Sequence, residues 1–239
     1  MNDETIAERI EKIRERIAAA CARAKRDPAD VHLIAVSKTH PPKSVAEAAR
    51  AGLMVFGENK VQEARAKIPD CPGNLSWHLV GHLQRNKVGF AVEMFDLIHS
   101  ADSLRLLQAI DRAGDELGKQ VKVLLEINVS GEGTKFGLKS DEVPEVLRAA
   151  NELPRVEIRG LMTMPPPFDE LGKVRPFFRQ LRELRDRWQD ETGVPLPELS
   201  MGMSHDFEIA IEEGTHWIRV GTAIFGERAK KEPVINEDI

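Results

Sequence analysis

The sequence contains no tyrosine in 239 residues. Whatever chemistry the chain performs, a phenol cannot be its general acid or base. Cysteine is almost as scarce. Cys21 and Cys71 are the only two, too few for a disulfide framework and at no metal-ligand spacing, so a reduced, cytoplasmic protein is expected. No basic block stands out against a formal net charge of −5, which argues against nucleic acid as a partner. No apolar run reaches the length needed to cross a bilayer, and the opening Met1-Asn2-Asp3-Glu4 is acidic where a secretory leader is basic and then apolar. Neither membrane association nor export is expected. There is also no solenoid-length repeat, no low-complexity linker and no composition break that would mark a second domain.

What is present is an ordinary globular composition, 41% hydrophobic and 31% charged. Ile6, Ile10, Ile13, Ile17 and Cys21 recur at helical spacing among Glu, Lys and Arg, predicting an amphipathic helix over about residues 3–26. Eight short apolar runs follow, at 31–38, 54–57, 75–81, 96–100, 121–129, 157–164, 198–203 and 217–225. Helical patterns separate them, at 43–51, 59–68, 84–94, 103–117, 140–151, 170–192 and 206–213. Near-continuous apolar strands are what a parallel sheet covered on both faces requires. Eight uninterrupted βα units predict an α/β fold of one domain over 1–239, a single (β/α)8 TIM barrel, rather than an open doubly wound sheet.

In such a barrel the chemistry sits at the C-terminal ends of the strands, so the polar residues that close each apolar run are the candidates. Two groups rise above the background of loop residues. In LIAVSK, Ile34, Val36 and Lys38 share one strand parity. If Ile34 and Val36 fill the interior, the Lys38 ammonium stands at the top of an apolar core, where desolvation favours the neutral amine, a nucleophile toward an aldehyde. The plainer alternative is a lysine snorkelling out of a strand end. The second group is Gly202-Met203-Ser204 with Val220-Gly221-Thr222, closing strands seven and eight. Loops there are the usual phosphate site of these barrels, with glycines admitting the anion and hydroxyls donating to it. The alternative is a tight turn with Ser204 capping a helix that begins near Asp206. Arg219 shares parity with Trp217 and Gly221, so its guanidinium points inward and needs an acceptor there; a structural salt bridge is the alternative to a role in the site.

Three further signals fail. Gly131-Glu132-Gly133 follows a strand, but the third glycine of a dinucleotide fingerprint would fall at Phe136. His78 and His82 are four apart on a strand and its loop, not on one helix face, so no zinc site is read there. The alternating charges from Arg179 to Arg187 describe a solvated helix face.

Taken in order, the segments AVSKTHPP, FGENKVQEA, WHLVGHLQRNK, IHSADS, INVSGEGTKFGL, RGLMTM, LSMGMSHDFEIAI and RVGTAIFGER resemble those of the pyridoxal phosphate homeostasis proteins, over roughly residues 31–228. The resemblance implies the barrel of the alanine racemase N-terminal domain (fold type III for this cofactor), without the racemase's second, β-rich domain, for which the chain is expected to be too short. It implies pyridoxal 5′-phosphate as the cofactor, held as a Schiff base on Lys38. It implies phosphate contacts at Ser204, Gly221 and Thr222, an arginine on the pyridine nitrogen at Arg219, and a pocket-lining Asn59. His205 stands at a place that is often acidic in the family and is assigned no role.

The chemistry of this cofactor sharpens the expectation. Amino-acid conversion needs the ring to act as an electron sink, which a carboxylate assists by keeping the pyridine nitrogen protonated. Arginine only donates, so it pairs with an unprotonated nitrogen and weakens the sink. Racemases of this fold also use a tyrosine on the opposite face, and this chain has none. The expected function is therefore non-catalytic binding of pyridoxal phosphate for its intracellular homeostasis, by buffering or delivery to apo-enzymes that use it, in a protein expected to be monomeric. The alternatives are a pyridoxal-phosphate-dependent amino-acid racemase, an aldolase-like barrel in which Lys38 attacks a sugar phosphate, and a pure interaction protein.

Overall fold

The computed structural model describes residues 4–132, 136–166 and 170–227. Gly133 of the failed fingerprint, Pro167 of the run Pro165-Pro166-Pro167, and residues 229–239 lie outside the described residues. Eight strands alternate with helices: His32–Val36 (β1), Val55–Glu58 (β2), Ser76–Leu79 (β3), Leu97–Ala101 (β4), Val121–Glu126 (β5), Val156–Met162 (β6), Glu198–Met203 (β7) and Trp217–Val220 (β8). Each pairs in parallel with the next, and β8 pairs with β1, closing the predicted barrel. The helices are Ile6–Ala24 (α1), Pro42–Arg50 (α2), Val61–Lys67 (α3), Val88–Met94 (α4), Leu104–Glu116 (α5), Val143–Ala150 (α6), Arg175–Thr192 (α7), Phe207–Glu212 (α8) and Thr222–Phe225 (α9).

The N-terminal helix starts where a capping box dictates. Thr5 Oγ1 accepts from the Glu8 N–H at 3.2 Å, and Glu8 Oε2 accepts from the Thr5 N–H at 2.8 Å. Its stripe of Ile10, Ile13, Ile17, Ala20 and Cys21 is buried. Arg16 reaches Glu208 at 3.0 Å and lies 4.4 Å over the Phe207 ring, tying α1 to α8. The main core lies between the strands and the helices, with Phe56, Phe178, Trp188 and Phe207 fully enclosed. Inside the barrel the packing is thinner. Ile34, Val36 and Val80 form one cluster and Leu97, Leu124 and Met162 another, and Trp217 packs against both. Ile34 and Val36 thus face inward, as their parity predicts. Gly160 (φ +151°) lets β6 and β7 approach, since a Cβ there would stand 1.8 Å from the Glu198 carbonyl oxygen.

Five of the strands, β1, β3, β5, β6 and β8, end sooner than the apolar runs that announce them. The run 217–225 reads as one strand but is two elements: β8 stops at Val220, and Thr222–Phe225 turns into α9. A short apolar stretch fits either period. Here Ile224 and Phe225 bury themselves as one helical turn whose N–H groups bond the Gly221 carbonyl at 2.9 Å.

Candidate functional site

Lys38 follows the inward-facing Val36 at the top of β1 and is half-buried. Its neighbours are tied down on both sides. The Ser37 N–H donates to the Gly57 carbonyl at 3.0 Å and its hydroxyl to Glu58 Oε1 at 2.7 Å. Lys67, at the end of α3, is 6% exposed and donates to the Ser37 carbonyl at 2.8 Å, to Glu58 at 2.7 Å and to Glu63 at 2.9 Å. Glu63 also accepts from the Thr39 N–H, and Thr39 holds a left-handed φ of +69°. Burial pushes the Glu58 carboxyl above the ordinary carboxylate range, while the bonds from Lys67 and Ser37 oppose that push. The segment that carries Lys38 is thus anchored from β2 and α3.

On the far side of the barrel seam, β7 and β8 supply the glycine-rich loops. Gly202 adopts φ +93°, and a Cβ on it would lie 2.6 Å from the Ala210 Cβ, so the glycine lets α8 pack against the strand end. Ser204 does not cap α8. Asp206 sits at the N-cap position without a side-chain cap bond, and its carboxylate accepts from the Met203 N–H at 2.5 Å. The Ser204 oxygen reaches instead to the next loop, where it accepts from the Gly221 N–H at 3.3 Å and the Ala223 N–H at 3.5 Å. Two acceptances leave the serine's own hydrogen to be donated elsewhere. Gly221 passes close to β1, where an added Cβ would meet the Val36 carbonyl oxygen at 3.1 Å.

Arg219 points inward, as its parity predicts, and is 4% exposed. Its acceptors are neutral: Nη1 donates to Ser200 Oγ at 2.6 Å and Nη2 to the Thr163 carbonyl at 2.9 Å. Among the described residues the structure shows no ion pair to Arg219, so the salt-bridge alternative does not describe it. Burial pushes the guanidinium down to about 10, against the pull of Asp206 and Glu126, and it remains a cation at neutral pH.

One cavity of about 210 Å³ brings these parts together. Lys38, Asn59, Ser204, Arg219, Gly221 and Thr222 all line it. The space equals roughly seven waters' share of liquid, the scale of a small molecule. Val36, Val80, Met164 and Met203 supply apolar surface, and His40 and His205 complete the rim. His40 stacks on Phe225 at 5.0 Å between ring centroids. Sequence reasoning did not nominate His40 or Met164. His40 shares the parity of Lys38 two residues earlier, a signal that was open to it.

The two histidines set aside as zinc ligands go to different partners. His78 is buried in the barrel and meets His99 Nε2 at 3.1 Å, while His82 pairs with Asp102 at 3.2 Å and stacks on Phe136 at 3.8 Å. Glu126, at the end of β5, is 4% exposed, and its Oε2 has no hydrogen-bond partner among the described residues. Burial, with help from Asp102 and against the pull of Arg219, raises its carboxyl to about 7.

Residues 9–229 match the family described as alanine racemase, N-terminal domain. The pyridoxal phosphate homeostasis protein of Aquifex aeolicus is 46% identical over 222 residues, covering 92% of this chain and 97% of that protein. The protein of the same name from Pseudomonas aeruginosa is 43% identical, covering 94% of this chain and 96% of its own length. Among solved structures, PipY of Synechococcus elongatus with pyridoxal phosphate bound is similar at a TM-score of 0.79 and 42% identity, covering 90% of this chain and 100% of that one.

Proposed function

The chain belongs to the pyridoxal phosphate homeostasis family, and from that premise we propose that its barrel mouth holds pyridoxal 5′-phosphate, which the protein buffers or delivers. The observation that carries this reading is convergence. One cavity is lined by a lysine, by an anchored serine, glycine and threonine, and by a buried arginine whose acceptors are uncharged. When bound, the cofactor supplies an aldehyde that condenses with a primary amine.

Lys38 provides that amine, and the anchoring of Ser37 and Thr39 limits how far it strays. Ser204 would donate its remaining hydrogen to the phosphate, Thr222 would add a second hydroxyl, and Gly221 keeps the approach clear of a side chain. Arg219, which lines the cavity, would donate to the ring nitrogen in its unprotonated form and so withhold the protonated-ring state that amino-acid chemistry exploits. Asn59 closes the wall next to Lys38, where Gly81 lets β3's loop pass: a Cβ on Gly81 would stand 2.4 Å from the Asn59 carbonyl oxygen. The whole chain acts as one cofactor-binding domain, cytoplasmic and monomeric, and its protein partners are apo-enzymes that need the cofactor.

The test is a spectrum. Purified protein incubated with pyridoxal phosphate develops a visible absorption band, and Lys38→Ala abolishes it. A colourless wild type defeats the reading. A racemase reading has one observation in its favour, the buried Glu126 carboxyl raised to about 7, which could exchange a proton near neutrality. Exchange of the Cα hydrogen of amino acids in heavy water separates the two. Buffering predicts no exchange above the rate of the free cofactor.

A further inference from the structure

The barrel interior beneath the cavity is not sealed by an apolar layer alone. A chain of buried polar groups crosses it: His78 Nδ1 meets His99 Nε2 at 3.1 Å, His99 Nδ1 meets Ser200 Oγ at 2.9 Å, and Arg219 Nη1 donates to that same Oγ at 2.6 Å. His99 and Ser200 are fully enclosed and His78 is 4% exposed. Trp217 stands edge-to-face with both imidazoles, at 4.9 and 6.3 Å between centroids.

The direction of the protons follows from counting donors. A guanidinium only donates, so Ser200 Oγ accepts at that contact. Burial holds His78 down at about 4 and His99 well below the usual imidazole range, so both rings are neutral at physiological pH. If His99 donated to Ser200, the serine would accept twice and its own buried hydrogen would have no acceptor among the described residues. If Ser200 donates to His99 Nδ1, then His99 Nε2–H donates to His78 Nδ1, and the Ser200 hydrogen and both His99 nitrogens are satisfied. The second arrangement aligns the dipoles head to tail, with the negative end of the serine hydroxyl toward the guanidinium, and aligned hydrogen bonds reinforce one another.

We infer that Ser200 and His99 are positioning residues for Arg219: they fix one edge of the guanidinium with neutral dipoles and leave its positive charge uncancelled for an acceptor in the cavity. A carboxylate in their place would pin the arginine equally well but would neutralise it and take up the donors that the occupant needs. Thr163 completes the grip, its carbonyl receiving Nη2 at 2.9 Å while its hydroxyl donates to the Ile127 carbonyl at 2.9 Å. This inference rests on the cavity being a pyridoxal phosphate site, because it assigns the aim of Arg219 to that ligand's ring nitrogen.

The experiment uses two probes on the full chain. Pyridoxine 5′-phosphate has the ring and the phosphate but no aldehyde, so its affinity by calorimetry does not depend on Lys38. Inorganic phosphate reports the Ser204 and Gly221 loops alone. Ser200→Ala and His99→Leu are expected to weaken pyridoxine 5′-phosphate by about tenfold or more, the scale of a hydrogen bond to a charged group. They should leave inorganic phosphate within about twofold, well under one hydrogen bond's worth. They also shift the visible band of protein loaded with pyridoxal phosphate. His99→Asn, which keeps a polar group near the Nδ1 position, restores both readouts toward wild type. Unchanged affinity and band in Ser200→Ala overturn the inference. So does equal weakening of both probes, or a His99→Asn protein that behaves like His99→Leu. A wild type that binds pyridoxine 5′-phosphate yet forms no band counts against Lys38 and leaves the calorimetric comparison intact.

Discussion

Lys67 and Ser37 are 30 residues apart, yet the buried ammonium of one donates to the backbone carbonyl of the other at 2.8 Å. The same ammonium neutralises Glu58, whose carboxylate is wholly enclosed and takes the Ser37 hydroxyl as well. A side chain at the end of α3 thus sets the backbone immediately before Lys38.

Removing one member of a buried ion pair strands the other, at about 3–5 kcal/mol. Lys67→Met is therefore expected to lose about that much stability in urea unfolding and to weaken cofactor binding. Pairing it with Glu58→Leu should recover most of the stability but not the binding, because the tether to the Ser37 carbonyl is still missing. Full recovery of both by the double variant would show that the pair has no bearing on Lys38.

Acid should destabilise the fold through its inner histidines. His78 is held at about 4 against an unfolded value of 6.5, and burial holds His99 well below that unfolded value too. Below 6.5 the unfolded chain takes up protons that the folded one refuses, so stability falls as pH drops through that window. Glu126 acts oppositely: at about 7 folded against 4.5 unfolded, it costs stability as pH rises from 4.5 to 7. Between about 4.5 and 6.5 the proton that His78 refuses offsets the one that Glu126 holds, so the net loss on acidification is the part that His99 adds. Glu126→Gln should steepen that slope and stabilise the protein above pH 7 by on the order of 3 kcal/mol. Unfolding midpoints across the range measure both effects.

Two glycines with left-handed backbone give a matched comparison. Gly193 has φ +70° with open space where a Cβ would go, while Gly202 has φ +93° and would drive its Cβ to 2.6 Å from Ala210. Gly193→Ala is expected to cost about 1–2 kcal/mol, the conformational penalty alone. Gly202→Ala should cost clearly more and should also lower affinity for inorganic phosphate, since α8 must move away from the Ser204 loop. Equal losses of stability, with unaltered phosphate binding, would contradict this.

Neither cysteine should be reactive. Burial raises both thiols above their ordinary range, Cys21 is fully enclosed, and Cys71 donates to the Lys67 carbonyl at 3.4 Å. Labelling by an aromatic disulfide at neutral pH should be slow, with Cys71 modified first and Cys21 only as the protein unfolds.

Much of this site was legible in one dimension because a barrel turns parity into direction. Ile34 and Val36 announce the inward face of β1, Arg219 announces its own on β8, and a polar residue that ends an apolar run lands at the mouth. What stayed hidden depends on partners far away in the chain. Ser204 resembles a helix cap until the Gly221 N–H, 17 residues on, is seen to claim it. Lys67 resembles a solvated helix lysine, since nothing local reveals that Glu58 lies beneath it. The His99–Ser200 contact spans 101 residues and leaves no periodic trace. The run 217–225 misleads for a different reason, because TAIF satisfies the strand pattern and the helical one equally.

Barrel closure sets Ile34 of the first strand opposite Arg219 of the last. The walls of the cavity are therefore contributed by opposite ends of the described chain, and a nascent polypeptide cannot complete the site until β8 has cleared the ribosome. Any occupant that touches both walls works as a clasp on the seam, and its grip on the finished fold grows with the logarithm of its concentration.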